Sequence, residues 1–134
     1  MIKKIEHIGI AVEDIDTASK IYQNLLDSEC YKTEVVETEF VKTAFFNVGN
    51  SKIELLQSTK PGSVIDRFLT KNGQGFHHIA FEVDDLEIEL ERLQKLEFEL
   101  IHKSPKPGAD HKIIAFLHPK STTGMLIELC QEIK

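Results

Sequence analysis

The sequence has little of what marks several large classes of protein. Its two cysteines, Cys30 and Cys130, are too few for a disulfide framework, and Cys130 closes an apolar run as a small buried side chain would. No apolar stretch approaches membrane-spanning length. The chain starts directly with a strand pattern, which leaves no room for a signal or transit peptide. These absences predict a reduced cytoplasmic setting and no membrane partner.

Positive charge is also scarce. The 134 residues include 16 Lys and Arg against 22 Asp and Glu, a formal net charge of -6, so a nucleic-acid surface is not expected. Four lysines of the second half either form a small basic patch or are simply solvated loop residues: Lys103, Lys106, Lys112 and Lys120. With 41% hydrophobic residues the chain can bury a core, and we expect one domain over residues 1–134.

What the sequence does contain is an internal repeat. Residues 7–15 align without gaps on residues 78–86; each stretch alternates as a strand does and ends in an acidic pair that can begin a helix. The runs at 53–56 and 127–130 correspond in the same way. The repeat therefore predicts that each half forms a strand, a helix and about three further strands. We place module 1 at about residues 4–58 and module 2 at about residues 75–132.

The helix of each module is predicted from its apolar spacing. The first runs from about residue 17 to 26, and its apolar face is expected to hold Ala18, Ile21, Tyr22 and Leu25. The second runs from about residue 86 to 96, and its face is expected to hold Leu86, Leu90, Leu93 and Leu96. Two inserts interrupt the repeat. Residues 60–62 lead into a short helix that stops near Gly73, with Val64, Ile65, Phe68 and Leu69 as its apolar residues, and residues 102–112 form a loop.

The repeat places a histidine and a glutamate at equivalent positions of each module. His7 and His78 each precede very small residues on their own strand face, while the bulky neighbours point to the other face. Glu54 and Glu128 are each flanked by apolar residues that should pack on helices, which directs both carboxylates to the histidine face. Since a buried carboxylate is costly unless a cation compensates it, we predict one divalent metal ion held by these four residues.

Simpler interpretations exist for each residue alone. A single strand histidine is more often structural than a ligand, and a single strand glutamate is usually solvated. Recurrence at matching positions of two modules favours the metal site, because a duplicated geometry brings equivalent side chains to one axis. The other histidines rank lower: we expect a structural role for His77, a turn-shaping role for His118, and exposed loop positions for His102 and His111.

These motifs resemble the vicinal oxygen chelate superfamily, which includes glyoxalase I, and within it the methylmalonyl-CoA epimerases. The resemblance covers nearly the whole chain, and its most specific parts are the double histidine at 77–78 and the Phe-Leu-His-Pro-Lys run at 116–120. It implies an α+β fold in which two paired βαβββ modules form a curved half-barrel sheet. It also implies a homodimer and a divalent metal, commonly cobalt, manganese, nickel or zinc, whose ligands fall on His7, Glu54, His78 and Glu128.

The implied reaction is epimerisation of methylmalonyl-CoA between its 2R and 2S forms through an enolate. Inversion needs proton donors and acceptors on both sides of the planar intermediate, and we expect Glu128 to be one and Glu54 the other. One family member has a glutamate where Thr43 stands, and threonine cannot serve as a base. Many relatives have glycine where Phe40 stands, so Phe40 adds bulk near the expected cavity edge.

The resemblance leaves two alternatives. A glyoxalase I-type lactoylglutathione lyase would use the same ligands, but the double histidine and the 116–120 run favour the epimerase. A non-enzymatic binding protein of the same fold would commonly lack the complete ligand set. For the epimerase, we expect an acyl-CoA substrate whose CoA tail contacts the lysines of residues 103–112 and Lys120.

Overall fold

The computed structural model describes residues 1–133, and it divides into two compact units. The first unit holds residues 7–77, and the second holds residues 1–6 together with residues 78–133. Each unit has its own hydrophobic clusters around one main helix, as described below. No helix within residues 1–133 is long and apolar enough to cross a membrane.

The first unit follows the predicted order of strand, helix and three strands. Its strands are hydrogen-bonded in the order β2-β3-β4-β1, with β1 and β4 parallel and the other neighbours antiparallel. A second helix follows the last strand. The elements are the part of β1 (Ile2–Ala11) from residue 7 onward, α1 (Ile15–Leu26), β2 (Lys32–Val36), β3 (Val41–Val48), β4 (Ser51–Ser58) and α2 (Val64–Asn72).

The second unit repeats this topology without the extra helix. Its strands follow the order β5-β8-β7-β6, and β5 and β8 are the parallel pair, as β1 and β4 are in the first unit. The strand β6 is only two residues long and lies inside the segment predicted as a loop. The elements are β5 (Gly75–Val83), α3 (Leu86–Lys95), β6 (Lys106–Pro107), β7 (Lys112–Leu117) and β8 (Ile127–Glu132).

Helix α1 packs on its sheet with a different face from the predicted one. Ile15 and Ala18 are buried, and Tyr22 and Leu26 pack partly against the same cluster. Ile21 and Leu25 were expected on this face, but they are 58% and 72% exposed. The helix starts two residues earlier than predicted, and contact with the sheet runs through the 15, 18, 22 and 26 positions, which rotates the other two into solvent.

Helix α3 confirms its predicted face for Leu86, Leu90 and Leu93, which all lie in one buried cluster. Leu96 was expected to extend that face, but the helix ends at Lys95 and Leu96 is 60% exposed. The same helix buries a carboxylate that the sequence did not signal. Glu89 accepts hydrogen bonds from the Met1 ammonium and from the Arg92 guanidinium, each at 2.7 Å, and these two groups lower its pKa.

Helix α2 covers part of the first unit's sheet. Its Ile65 is buried in a cluster with Val41 and Leu56, and Phe68 packs against the same cluster. Ser63 caps the helix by accepting a hydrogen bond from the Asp66 N–H at 3.1 Å. The helix ends at Asn72 with Gly73 as its C-cap, which confirms the predicted stop near Gly73. Val64 was expected among the apolar residues, but it is 52% exposed.

Candidate metal centre

The first unit brings His7 and Glu54 together on the face opposite α1. In the parallel pairing of β1 and β4, Gly9 lies beside Glu54, so no bulky side chain separates the carboxylate from the imidazole two residues away. Leu55 belongs to the cluster packed on α1, which directs Glu54 to the other face. The Nε2 of His7 lies 3.3 Å from Oε1 of Glu54, and both residues are buried.

The second unit repeats this pair with His78 and Glu128. Ala80 lies beside Glu128 in the pairing of β5 and β8, in the place that Gly9 has in the first unit. Leu129 packs in the cluster of α3 and so leaves Glu128 on the opposite face. The Nε2 of His78 lies 3.4 Å from Oε1 of Glu128, and both residues are buried.

Each unit contributes one imidazole and one buried carboxylate to the predicted ligand set. Imidazole nitrogens and carboxylate oxygens suit a divalent transition metal or zinc. A cation would also offset the cost of burying the carboxylates. The assignment of all four residues to one ion stays a prediction.

A phenylalanine lies directly across from the glutamate in each unit. Phe45 on β3 is opposite Glu54, and Phe116 on β7 is opposite Glu128. The Phe116 ring meets the His78 imidazole edge-on, with centroids 5.6 Å apart. Aromatic contacts of this kind fix the plane of the imidazole and exclude water from one side of it.

Thr43 and Phe40 were singled out as departures from the family pattern. Thr43 is fully buried, and its hydroxyl donates to the Glu34 carbonyl at 3.2 Å, so the side chain serves the β2–β3 pairing. Phe40 is 41% exposed, and the Lys60 ammonium lies 4.6 Å from its ring centroid. Its φ of +53° is the left-handed conformation that glycine adopts without strain.

The structure buries two charged residues that the sequence analysis did not single out as buried. Glu6, the neighbour of His7, is 2% exposed. Lys112 is 4% exposed, which makes the solvated-lysine interpretation wrong at this position. A charge at the start of a strand gives no periodic signal, and only the register with β8 shows where Lys112 lies.

Each glutamate is followed three residues later by a glutamine with a structural task. The Gln57 side-chain carbonyl accepts the backbone N–H of Ile15 at 2.7 Å. The Gln131 side-chain carbonyl accepts the backbone N–H of Leu86 at 2.8 Å. Both bonds satisfy the first N–H of a main helix, and the repeated Glu-x-x-Gln spacing in the sequence could have revealed them.

The remaining histidines mostly follow their predicted roles. The His77 ring packs edge-on against Phe68, with centroids 4.9 Å apart. His118 shapes a turn by accepting the Lys120 N–H at its Nδ1, 3.0 Å away. His111 is exposed as expected. The exposure predicted for His102 is wrong: it is half-buried, and its Nδ1 accepts the Phe116 N–H at 3.1 Å.

The buried thiol of Cys130 lies on the same face as Glu128, two residues further along β8. Burial raises the pKa of this thiol, and the negative charges of Glu128 and Glu6 raise it further, against the opposing effect of Lys112. A thiol held neutral in this way is a poor metal ligand, because metals bind the thiolate.

Comparison with known proteins places these features in a family. The model of the Glyoxalase/Bleomycin resistance protein/Dioxygenase superfamily matches residues 6–116. The uncharacterized protein YqjC of Bacillus subtilis is 41% identical over 96% of this chain and 91% of its own length. The human mitochondrial methylmalonyl-CoA epimerase is 36% identical over 96% of this chain and 73% of its own length.

A solved structure supports the same assignment. A variant of the Streptomyces coelicolor methylmalonyl-CoA epimerase, in complex with 2-nitronate-propionyl-CoA, has a TM-score of 0.95 and 33% identity, covering 98% of this chain and 96% of its own. This likeness confirms the predicted vicinal oxygen chelate fold. The chain belongs to the Glyoxalase/Bleomycin resistance protein/Dioxygenase superfamily, in the group that contains the methylmalonyl-CoA epimerases.

Proposed function

We propose that this protein is a metal-dependent epimerase that interconverts the 2R and 2S forms of methylmalonyl-CoA through an enolate. The observation that carries the proposal is the repeated buried pair, His7 with Glu54 and His78 with Glu128, at 3.3 and 3.4 Å. Relatives named as methylmalonyl-CoA epimerases match 96% of the chain, and a protein of that name has been solved with a CoA ligand bound.

His7, Glu54, His78 and Glu128 would hold the cation. Their two imidazoles and two carboxylates match the nitrogen and oxygen donors that cobalt, manganese, nickel and zinc accept. The bound cation would supply positive charge that favours loss of the proton between the thioester and the carboxylate. The buried setting supports this assignment, because charges act more strongly where water is excluded.

Glu54 and Glu128 are the groups we assign to proton transfer. Each carboxylate lies within reach of an imidazole and across a strand pair from a phenylalanine, so its position is fixed from two sides. One carboxylate takes the α-proton from one face of the substrate, and the other returns a proton to the opposite face. Thr43 has no part in the transfer, since its hydroxyl is already bonded to a backbone carbonyl.

The decisive experiment follows the α-proton of methylmalonyl-CoA in deuterated water by NMR. The protein is stripped with a chelator and assayed with and without added cobalt or manganese, next to a protein-free sample with the same metal. We expect deuterium incorporation only when protein and metal are both present. Equal incorporation by the stripped protein would refute the metal dependence, and no incorporation under any condition would refute the epimerase.

The family resemblance also implies a homodimer, which we keep as part of the proposal. Sedimentation of the purified chain at micromolar concentration would test it, with a mass near twice the 15.3 kDa of one chain as the expected result. The reduced cytoplasmic setting likewise remains a prediction.

A further inference from the structure

A buried lysine lies on the same sheet face as the second histidine and glutamate. Lys112 pairs with Glu132 across β7 and β8, and Phe116 pairs with Glu128 four residues further along. Cross-strand partners point to one face, and so do residues two apart, so Lys112 and Glu128 share a face. Four residues of strand span about 13 Å, which places the backbone of the lysine at the end of this face.

Within residues 1–133, the contacts of the Lys112 ammonium are few and long. It donates to the Asp110 carbonyl at 3.4 Å and lies 4.0 Å from the Glu132 carboxylate, which is 68% exposed. An ammonium has three donors, and burying it without close acceptors is costly. Lys112 is the one lysine or arginine that is buried within residues 1–133. A buried ammonium with such weak contacts would gain stabilisation from a bound anion.

The first unit shows what a purely structural residue looks like at this position. Counting back four residues from Phe45, the counterpart of Phe116, leads to Val41, which is buried. Val41 packs in the cluster that Ile65 of α2 completes. In the described part of the second unit the one α-helix is α3, and it packs on the opposite face. A lysine thus replaces a valine where the covering helix is missing.

Two glutamates of the second unit's sheet are already paired with cationic or imidazole groups other than Lys112. Glu82 lies beside Cys130 in the β5–β8 pairing, and its carboxylate already has the Lys3 ammonium at 3.5 Å. Glu128 has His78. Glu82 and Glu128 therefore have partners other than Lys112, and Lys112 retains its capacity for an added anion.

We propose that Lys112 is the anion-binding residue for the acyl-CoA substrate in the second unit. This inference rests on the proposed function and deepens it. The anion is either the carboxylate of the malonyl group or a phosphate of CoA, which share the chemistry of an oxyanion that accepts charge-assisted hydrogen bonds. Binding displaces the Asp110 carbonyl, the nearest acceptor of the ammonium.

The test removes the charge and keeps the length of the side chain. Lys112→Met is compared with wild type, with Lys112→Arg, and with the control Lys95→Met, which removes an exposed charge from α3 of the same unit. For Lys112→Met we expect a KM for methylmalonyl-CoA at least about tenfold higher, the effect of losing a hydrogen bond between charged groups. Lys112→Arg should recover part of the loss, and Lys95→Met should match wild type.

Titration calorimetry with propionyl-CoA, which keeps every phosphate but lacks the malonyl carboxylate, separates the two sources. If Lys112→Met weakens propionyl-CoA binding as much as it raises KM, the anion is a phosphate. If propionyl-CoA binding is unchanged, the anion is the carboxylate. A thermal melt for each variant establishes that it is folded.

Two further outcomes distinguish this inference from the proposed function. If Lys112→Met is folded, less stable and unchanged in both KM and propionyl-CoA affinity within twofold, Lys112 is purely structural and the inference is overturned. If wild-type protein exchanges no α-proton but loses CoA-ester affinity on the Lys112→Met change, the epimerase is refuted and the anion site stands.

Discussion

In each unit one sheet face carries a histidine and a glutamate. The two units have equivalent residues at the centre of this face and different residues at its end. At the centre, each has a histidine, a very small residue, a glutamate, a phenylalanine across from the glutamate and a glutamine three residues on. At the end, the first unit has Val41 beneath α2 and the second has the buried Lys112. The repeated positions thus hold the imidazole and the carboxylate that the proposed reaction needs from each unit. The unrepeated position of Lys112 would serve an anionic group that the acyl-CoA substrate has at one end.

The helices show a second difference between the units. The offset of 71 residues that relates His7 to His78 also relates Ala18 of α1 to Glu89 of α3. Ala18 is buried as part of an apolar face, whereas Glu89 is buried with two cationic partners. Both side chains are buried at this equivalent helix position, one by apolar packing and the other by ion pairing.

The largest expected effect is on the rate of epimerisation, and it follows from changing either of the two equivalent carboxylates. Glu54→Gln and Glu128→Gln should each slow epimerisation by roughly 10²- to 10⁴-fold, because an amide cannot accept the α-proton. The exposed Glu91→Gln on α3 serves as control and should leave kcat unchanged. Steady-state rates and α-proton exchange would be measured for each. Near-normal turnover by Glu54→Gln would reject its assigned role and leave Glu128 as the sole base.

A smaller effect is expected on stability, from changing the buried Glu89 of α3, which has alanine at the equivalent position of α1. Glu89→Gln should lower the free energy of unfolding by about 1 kcal/mol near neutral pH, a modest value because both cationic partners reach solvent. The Met1 ammonium and Arg92 lower the pKa of Glu89 below the ordinary 4.5. Its contribution is therefore complete above that pH and is lost as the pH falls through the folded-state pKa.

Urea unfolding of wild type and Glu89→Gln at neutral pH and below pH 4.5 checks this prediction. The stability difference should shrink in acid, while Glu91→Gln should follow wild type at both values. A difference that grows on acidification would contradict the direction of the pKa shift.

The smallest expected effect is on stability, and it compares the equivalent glutamines of the two units. Gln57→Ala and Gln131→Ala each remove one hydrogen bond to the first N–H of a main helix, at 2.7 and 2.8 Å. We expect each to cost about 1 kcal/mol of unfolding free energy, with nearly equal losses. Thermal melts of the two variants and of the double variant would show it. Unequal losses would mean that the capping task is not shared.

Much of the fold follows from local pattern, and the failures have physical causes. The repeat predicted the strand, helix and strand order of both units, because alternation and helical spacing are properties of short windows. The face of α1 was assigned wrongly because Ile21 and Leu25 fit the helical period as well as Ile15 and Leu26 do. Only packing against the sheet decides between two such faces.

In the candidate site, too, some residues could be predicted from local pattern and others could not. The four predicted ligands follow from alternation combined with the repeat, and the structure places each imidazole beside its carboxylate. The burial of Lys112 depends on its pairing with β8, and pairing across strands leaves no trace in the spacing of residues along one strand. Sequence periodicity therefore gives the repeated centre of the face but not the unrepeated end.

The neutral sulfur of Cys130 has a consequence for metal selection. Thiolates bind copper(I) and other soft cations strongly, and an ionised sulfur beside the ligands would favour such ions over harder ones. Because burial and the nearby carboxylates keep the proton on Cys130, nitrogen and oxygen donors alone would set the preference of the centre. In the proposed metal centre, a protonated Cys130 would therefore leave the choice of ion to the imidazoles and carboxylates.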